Sequence, residues 1–229
     1  GQLAEQDRPM THTAQTVGLI LAGGRSRRMR GQDKSLLTVQ GETLLAHVIR
    51  RLRPQVDVLA LNSNAAADNF TAYGLPVIPD RLSGYLGPLA GIHAGLMQYP
   101  ENYLVTVAVD LPFLPADLVT RLRAGLGTKT CAYASDAERH ALALLWRPGA
   151  AALVEDYLQR GGRSLKDFLA AHGQPVRFGQ PQDRGERLVL LLGERERLGV
   201  EGQQIGVRSR GALERPAELA SGVLVAPEL

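Results

Sequence analysis

Short apolar runs alternate with helical patterns over residues 17–178 of this chain. The runs 17–21 and 104–109 are apolar almost throughout, which is typical of strands buried on both faces. Segment 43–53 instead spaces its apolar residues so that they share one face of a helix. Strands that alternate with helices favour a mostly parallel sheet covered on both sides. We therefore predict a Rossmann-like, three-layer α/β fold.

Turn and capping residues between the runs set the predicted boundaries. Pro88 suits the first turn of a helix, where its missing N–H costs little, and Ser164 suits a helix N-cap. The predicted strands cover residues 17–21, 56–61, 77–78, 104–109, 130–135, 140–146 and 176–178. The predicted helices cover residues 43–53, 87–99, 115–126, 149–160 and 164–171.

Length and composition predict one domain with distinct ends. A chain of 229 residues can bury one substantial core. We assign residues 16–178 to this domain and residues 1–15 to a flexible N-terminal segment. Residues 179–229 contain no aromatic residue, Lys, Asn or Thr, so we expect an atypical tail that is disordered or loosely attached. A reading-frame change in the gene near Arg187 is one hypothesis for this shift in composition.

Charge, cysteine content and hydropathy exclude several classes of protein. The chain has 26 Lys and Arg against 23 Asp and Glu, a net charge of +3, and we expect no nucleic-acid binding. The single cysteine, Cys131, excludes an intramolecular disulfide and a cysteine-based zinc cluster. No apolar run reaches the roughly 20 residues that span a bilayer, and residues 1–15 lack the apolar core of a secretory signal. We expect a cytoplasmic protein that binds no membrane.

A loop rich in Gly and Arg directly follows the first predicted strand. It covers residues 21–34, and ligands of open α/β sheets bind outside the carboxyl ends of strands. Gly23 and Gly24 let backbone N–H groups approach anionic oxygens, and Arg25 and Lys34 add positive charge. The pattern is neither a Walker A loop nor a dinucleotide fingerprint. It predicts a nucleotide-phosphate site, with a purely structural turn as the alternative.

Three polar residues follow other predicted strands. Asp110 comes after a buried run, where a lone carboxylate is costly unless it meets a cation; a turn or helix-capping Asp is the alternative. Asp80 can accept hydrogen bonds from guanine N1–H and N2–H₂ or from ribose hydroxyls, or it is a solvated partner of Arg81. Asn62 either faces a ligand or belongs to an ordinary turn.

The combination of these motifs resembles a known family. The spacing of Gly-Gly, Ser-x-Arg-Met and Asp-Lys within residues 23–34 resembles nucleotidyltransferases that make NDP-sugars, cytidylyl intermediates and dinucleotide forms of molybdopterin. Within that group, Asp33-Lys34, the Gly-Pro-Leu-Ala-Gly of residues 87–91 and the Asp-Leu-Pro-Phe of residues 110–113 are most similar to molybdenum cofactor guanylyltransferases. The resemblance covers residues 16–178 and implies a nucleotidyltransferase fold.

The resemblance implies a magnesium-dependent enzyme that transfers GMP from GTP to the terminal phosphate of molybdenum-molybdopterin and releases pyrophosphate. Asp110 would bind both magnesium and GTP, and Lys34 and Arg25 would act with it in catalysis. Molybdoenzymes or chaperones for cofactor insertion are the implied protein partners. The implied nucleotide-binding residues are Leu21, Ala22, Gly23, Gly24, Lys34, Asn62, Asp80 and Asp110.

The chain departs from the family near its C-terminus. The family closes with a segment resembling Asn-x-Asn-Thr-Pro-x-Asp on the pterin side of the cleft, whereas the last asparagine here is Asn102. The resemblance therefore identifies no acceptor-binding residue. Two alternatives stay open: a CTP-using or sugar-phosphate nucleotidyltransferase of the same fold, and a GTP-binding assembly partner with little turnover.

Overall fold

In the residues that it describes, the computed structural model of the chain has ten strands and five α-helices. The structure describes residues 14–22, 38–39, 41–82, 84, 87–135, 140–178 and 204–205. The strands are β1 (Thr16–Leu21), β2 (Thr38–Val39), β3 (Glu42–Thr43), β4 (Val58–Asn62), β5 (Val77–Ile78), β6 (Tyr103–Ala108), β7 (Cys131–Ser135), β8 (His140–Trp146), β9 (Gly173–Arg177) and β10 (Gln204–Ile205). The helices are α1 (Leu44–Leu52), α2 (Pro88–Gln98), α3 (Leu118–Gly125), α4 (Ala151–Gln159) and α5 (Leu165–His172).

The central sheet has seven strands in the order β5-β4-β1-β6-β8-β7-β9. The first four strands are mutually parallel. Strand β8 runs antiparallel to both β6 and β7, and β9 runs parallel to β7. The predicted mostly parallel sheet is therefore confirmed, with one reversed strand inside it.

Helices cover both faces of this sheet, which confirms the three layers. On one face, α1 and α3 pack on a hydrophobic cluster that includes Ile20 and Val107. On the other face, α2, α4 and α5 pack on a cluster that includes Leu19 and Trp146. Consecutive side chains of a strand point to opposite faces, so the apolar run of β1 supplies both clusters. This explains why that run shows no polar alternation.

Capping residues fix the starts of several helices, at Ser164 and Pro88 as predicted and at Thr43 in addition. Ser164 Oγ accepts a hydrogen bond from Asp167 N–H at 3.2 Å before α5, and Thr43 Oγ1 accepts from Ala46 N–H at 3.1 Å before α1. Pro88 is the first residue of α2. Because each cap satisfies a backbone N–H that has no partner inside its helix, it favours that starting point.

Helix α3 begins at Leu118, three residues after the predicted start at Pro115. The Pro115 carbonyl instead closes a turn by accepting from Leu118 N–H at 3.3 Å. It also accepts from Gln55 Nε2 at 2.9 Å, and Gln55 Oε1 accepts from Val119 N–H at 3.1 Å. These contacts join residues 60 or more positions apart, so local propensity alone did not predict where the helix starts.

A second, three-stranded sheet in the order β10-β2-β3 was not predicted. Each of its strands has two residues, which is too short for a hydrophobic period to be recognised. Strand β10 belongs to the segment that we expected to be an atypical tail, and it pairs in parallel with β2. The rest of that tail lies outside the described residues, and so do residues 1–13 of the N-terminal segment.

The polar and sulfur-containing core residues are accommodated by specific contacts. Trp146 is fully buried, and its Nε1–H donates to Thr106 Oγ1 at 3.1 Å. Cys131 is buried, and burial raises the pKa of its thiol to about 12. Both residues are therefore part of the hydrophobic core. Within the described part of the chain, no helix is long and apolar enough to cross a membrane.

Candidate active site

The carboxyl ends of the four parallel strands meet at one edge of the sheet. Leu21 is in register with both Asn62 of β4 and Ala108 of β6, and Asn62 is in register with Ile78 of β5. Neighbouring strands lie about 4.8 Å apart. Five predicted site residues, Leu21, Ala22, Asn62, Asp80 and Asp110, therefore lie at or just beyond this single edge.

The end of β1 is held by backbone hydrogen bonds to both neighbouring strands. Ala22 N–H donates to the Asn62 carbonyl at 2.9 Å, and Val109 N–H donates to the Leu21 carbonyl at 3.1 Å. The chain leaving β1 is therefore fixed at the centre of the edge. The predicted site residues Gly23, Gly24, Arg25 and Lys34 follow this point but lie outside the described residues.

Asn62 is buried and connects β4 to the segment after β5. Its Nδ2 donates to the Ile78 carbonyl and to Asp80 Oδ1, both at 3.0 Å. An amide nitrogen carries two hydrogens, so both are used inside the protein. Asn62 is thus more than an ordinary turn residue, because it orients the Asp80 carboxylate.

Asn64 forms a second contact to Asp80, and sequence reasoning did not identify it. Its Nδ2 donates to Asp80 Oδ2 at 2.8 Å, while its Oδ1 accepts from Asp80 N–H at 2.9 Å. The expected alternative partner of Asp80, Arg81, instead donates to Gln98 Oε1 at 3.0 Å. The spacing Asn-x-Asn after a strand was the available signal, since alternate residues share one face of an extended chain.

Helix α2 closely approaches this cluster at Gly91. A Cβ atom on Gly91 would lie 2.1 Å from Asn62 Oδ1 and 2.7 Å from Asn62 Cγ. No side chain fits there unless Asn62 moves. Gly87, which precedes the helix, has φ +62°, a conformation that favours glycine. The structure therefore explains both glycines of the Gly-Pro-Leu-Ala-Gly motif: Gly87 by its backbone conformation and Gly91 by its close approach to Asn62. Together they bring the start of α2 beside the strand ends.

Asp110 lies in the turn that follows β6. The strand ends at Ala108, one residue before the predicted end, and Leu111 N–H donates to the Ala108 carbonyl at 3.2 Å. Asp110 as a residue is partly buried, and its Oδ1 atom is buried. The turn thus holds a carboxylate at the same edge as Asn62 and Asp80.

The Asp110 carboxylate at this edge is a candidate ligand for a divalent cation. Among the described residues, no group of three or more His, Cys, Asp or Glu side chains is arranged to hold a metal. Structural zinc and calcium sites need several protein ligands. Mg²⁺ is usually held by one or two carboxylates together with water and substrate phosphates. The carboxylate of Asp110 is consistent with this mode of binding.

His93 lies on α2 and faces Glu155 of α4. It is buried, and its Nε2 lies 4.0 Å from Glu155 Oε2 of α4. Burial lowers the pKa of His93; Glu155 opposes this effect and Arg81 adds to it. His93 is thus a packed residue between two helices.

Three comparisons with known proteins agree with this arrangement. Residues 18–176 match the family model described as a MobA-like NTP transferase domain. A molybdenum cofactor guanylyltransferase from Yersinia pestis (strain Pestoides F) is 42% identical over 169 residues, which cover 73% of this chain and 87% of that protein.

Two solved structures show the same fold. Molybdopterin-guanine dinucleotide biosynthesis protein A from Archaeoglobus fulgidus has a TM-score of 0.57 and 23% identity, covering 74% of this chain and 86% of that one. A Mycobacterium tuberculosis H37Rv protein, solved as a complex with manganese, has a TM-score of 0.54 and 17% identity, covering 72% of this chain and 88% of that one.

Proposed function

The chain belongs to the MobA-like NTP transferase family, and on this premise we propose that it is a molybdenum cofactor guanylyltransferase. It transfers GMP from GTP to the terminal phosphate of molybdenum-molybdopterin and releases pyrophosphate, forming molybdopterin guanine dinucleotide. The observation that carries the proposal is the 42% identity to a named guanylyltransferase over 169 residues. The polar cluster at the carboxyl edge of the parallel strands supports it, because nucleotides bind at such edges.

The chemistry needs charge stabilisation more than proton transfer. The terminal phosphate of the acceptor is already an anion near neutral pH, so it can attack the α-phosphorus of GTP without a general base. The bond from the α-phosphorus to the bridging oxygen breaks, and pyrophosphate leaves with the electron pair. The barrier therefore comes from repulsion between anions and from charge that develops on the leaving group.

The proposed catalytic residues act on that charge. Lys34 and Arg25 bind the phosphates, together with the backbone N–H groups of Gly23 and Gly24. Asp110 would hold a divalent cation, proposed to be Mg²⁺, which when bound neutralises phosphate charge. The manganese complex of the Mycobacterium neighbour supports a divalent cation in this fold. The buried Oδ1 of Asp110 is consistent with this role, since a buried carboxylate is costly without a cation.

The nucleoside end of the site lies at β4 and β5. Leu21 and Ala22 are the first residues of the Gly- and Arg-rich segment 21–34, which we propose binds the nucleotide. Asp80 accepts hydrogen bonds from guanine N1–H and N2–H₂, and cytosine lacks this adjacent pair of donors. Asn62 supports the site through the Asp80 carboxylate, to which it donates at 3.0 Å. This arrangement favours GTP over CTP and is the structural argument against a cytidylyltransferase.

Further proposals concern the surroundings of the reaction. The partners that receive the product are molybdoenzymes or cofactor-insertion chaperones, and the compartment is the cytoplasm. A single buried cysteine suits a reducing compartment. Residues 179–229 are proposed as an atypical tail attached to the domain of residues 16–178. Sequencing the gene around codon 187 tests the proposed change of reading frame.

The deciding experiment measures pyrophosphate release by the full chain with molybdopterin and each of GTP, CTP and ATP. We expect release that requires molybdopterin and is fastest with GTP. Omission of molybdopterin is the control for simple GTP hydrolysis. Equal rates with GTP and CTP would support the cytidylyltransferase alternative. GTP binding without molybdopterin-dependent release would support the assembly-partner alternative.

A further inference from the structure

We propose that Asn64 is a positioning residue for guanine recognition and that it acts through Asp80. The proposal rests on the proposed function, because Asp80 is there the residue that binds guanine. Asn64 itself need not touch the nucleotide. Its role is to fix the plane of the Asp80 carboxylate, and thereby to determine which base the site prefers.

The contact between Asn64 and Asp80 has two points. One amide group both donates to Asp80 Oδ2 at 2.8 Å and accepts from Asp80 N–H at 2.9 Å. An ionised carboxylate only accepts hydrogen bonds and a backbone N–H only donates. The two bonds therefore determine which side of the Asn64 amide faces each partner. They also connect the Asp80 side chain to its own backbone, which restricts rotation of the carboxylate.

Asn62 holds the other oxygen of the same carboxylate. Its Nδ2 lies 3.0 Å from Asp80 Oδ1, and its side chain is buried against Gly91. The carboxylate is thus held by one buried amide and one exposed amide. We call Asn62, Asp80 and Asn64 the amide clamp. Hydrogen bonds to both oxygens fix the plane of the Asp80 carboxylate. A hydrogen bond to only one oxygen would still allow the carboxylate to rotate.

The amide clamp leaves acceptor capacity for a base. Each carboxylate oxygen has two lone-pair sites, and each accepts one side-chain amide hydrogen in the clamp. One lone pair therefore remains on each oxygen, which suits the two adjacent donors of guanine. Among the described residues, no cation forms an ion pair with Asp80, since Arg81 contacts Gln98. The negative charge of Asp80 is thus held by neutral amides and stays available to strengthen hydrogen bonds to guanine.

The test is a double-mutant cycle read by nucleotide binding. Affinities of the full chain for GTP, ITP and CTP are measured by calorimetry, with Mg²⁺ present and without molybdopterin. The variants are Asn64→Ala, Asp80→Ala and the double variant. ITP lacks the exocyclic N2 amine, so it reports one of the two proposed hydrogen bonds. Asn69→Ala is the matched control, because Asn69 is an exposed asparagine in the nearby 3₁₀ helix Ala67–Tyr73.

We expect Asn64→Ala to weaken GTP binding by about five- to tenfold and to leave CTP binding within about twofold of the parent. The preference for GTP over ITP should fall by a similar factor. In the Asp80→Ala background, Asn64→Ala should change no affinity further, because Asn64 acts only through that carboxylate. Asn64→Asp has nearly the same shape but replaces the donor facing Asp80 by an acceptor, and it should weaken GTP binding at least as much as alanine.

Three results would overturn the role of Asn64. Equal losses for GTP and CTP would indicate general damage to the loop, and additive losses in the double variant would indicate action independent of Asp80. Unchanged GTP binding by both Asn64 variants would also refute it. A parent chain that binds GTP no better than CTP would instead count first against the proposed function, so the two failures are distinguishable.

Discussion

Replacing Gly91 with alanine is expected to destabilise the protein, although alanine normally stabilises a helix. Gly91 lies inside α2, where exchange of glycine for alanine gains ~1 kcal/mol from helix propensity alone. The three atoms nearest to the new Cβ would all belong to Asn62, at 2.1, 2.7 and 3.2 Å. These distances are too short for contact, so Asn62 would have to leave its position.

The cost follows from the hydrogen bonds that Asn62 would lose. Its amide donates to the Ile78 carbonyl and to Asp80, and each such bond contributes about 1 kcal/mol. A buried acceptor left without a partner adds about 1–3 kcal/mol. After the gain in helix propensity is subtracted, we expect a net loss of roughly 2–4 kcal/mol in the free energy of unfolding. For a domain of this size, each 1 kcal/mol lowers Tm by about 2–4 °C.

The assay is denaturant unfolding of four proteins: the parent, Gly91→Ala, Asn62→Ala and the double variant. Asn62→Ala removes every atom that the new Cβ would strike first. In that background, Gly91→Ala should therefore stabilise the protein by ~1 kcal/mol, the helix-propensity gain. This reversal of sign is the specific expectation. If Gly91→Ala stabilised the parent, or destabilised both backgrounds equally, the steric explanation would be refuted.

Three further expectations concern charge and protonation. Asp110→Asn should leave Tm nearly unchanged but lower GMP transfer by about 10²-fold or more, since it removes the anionic metal ligand; a magnesium titration identical to that of the parent would contradict this. Lys34→Ala should lower turnover as well as GTP affinity, because its charge matters most as pyrophosphate leaves, and a change in KM alone would contradict the catalytic role. Burial lowers the pKa of His93 in the folded state below its ordinary 6.5, so the unfolded chain binds the proton more readily and stability falls as pH drops below about 6.5. His93→Leu should make this loss between pH 7 and pH 5 shallower in denaturant unfolding, and identical pH profiles would show that another group titrates.

The central sheet was predictable because its strands bury both faces. The apolar run of β1 and the single polar residue Asp110 after the run of β6 are local patterns, and each indicates a strand and its end. The proposed position of the nucleotide site is inferred from the topology of parallel strands. The fold class therefore needed no knowledge of long-range contacts.

The details that escaped prediction depend on contacts between distant residues. Asn64 and Asp80 lie 16 positions apart. The Asn-x-Asn spacing relates Asn64 to Asn62, but it does not link either asparagine to a carboxylate after the next strand. The start of α3 was wrong because Gln55 bonds to residues 60 and 64 positions away. The reversal of β8 also escaped prediction, because an apolar run indicates burial but carries no direction.

The direction of the strands determines on which side of the sheet a tag or fusion partner would be attached. Strand β9 is parallel to β7, and Phe178 N–H donates to the Ser135 carbonyl at 2.8 Å, so the chain passes Phe178 on the same edge of the sheet as Asp110. Thr16 begins β1 at the opposite edge, roughly 20 Å away for a strand of this length. An affinity tag or fluorophore joined ahead of Thr16 therefore starts on the side remote from the proposed nucleotide site. A fusion made directly after Phe178 starts on the same side as that proposed site, and activity comparisons should use N-terminal fusions.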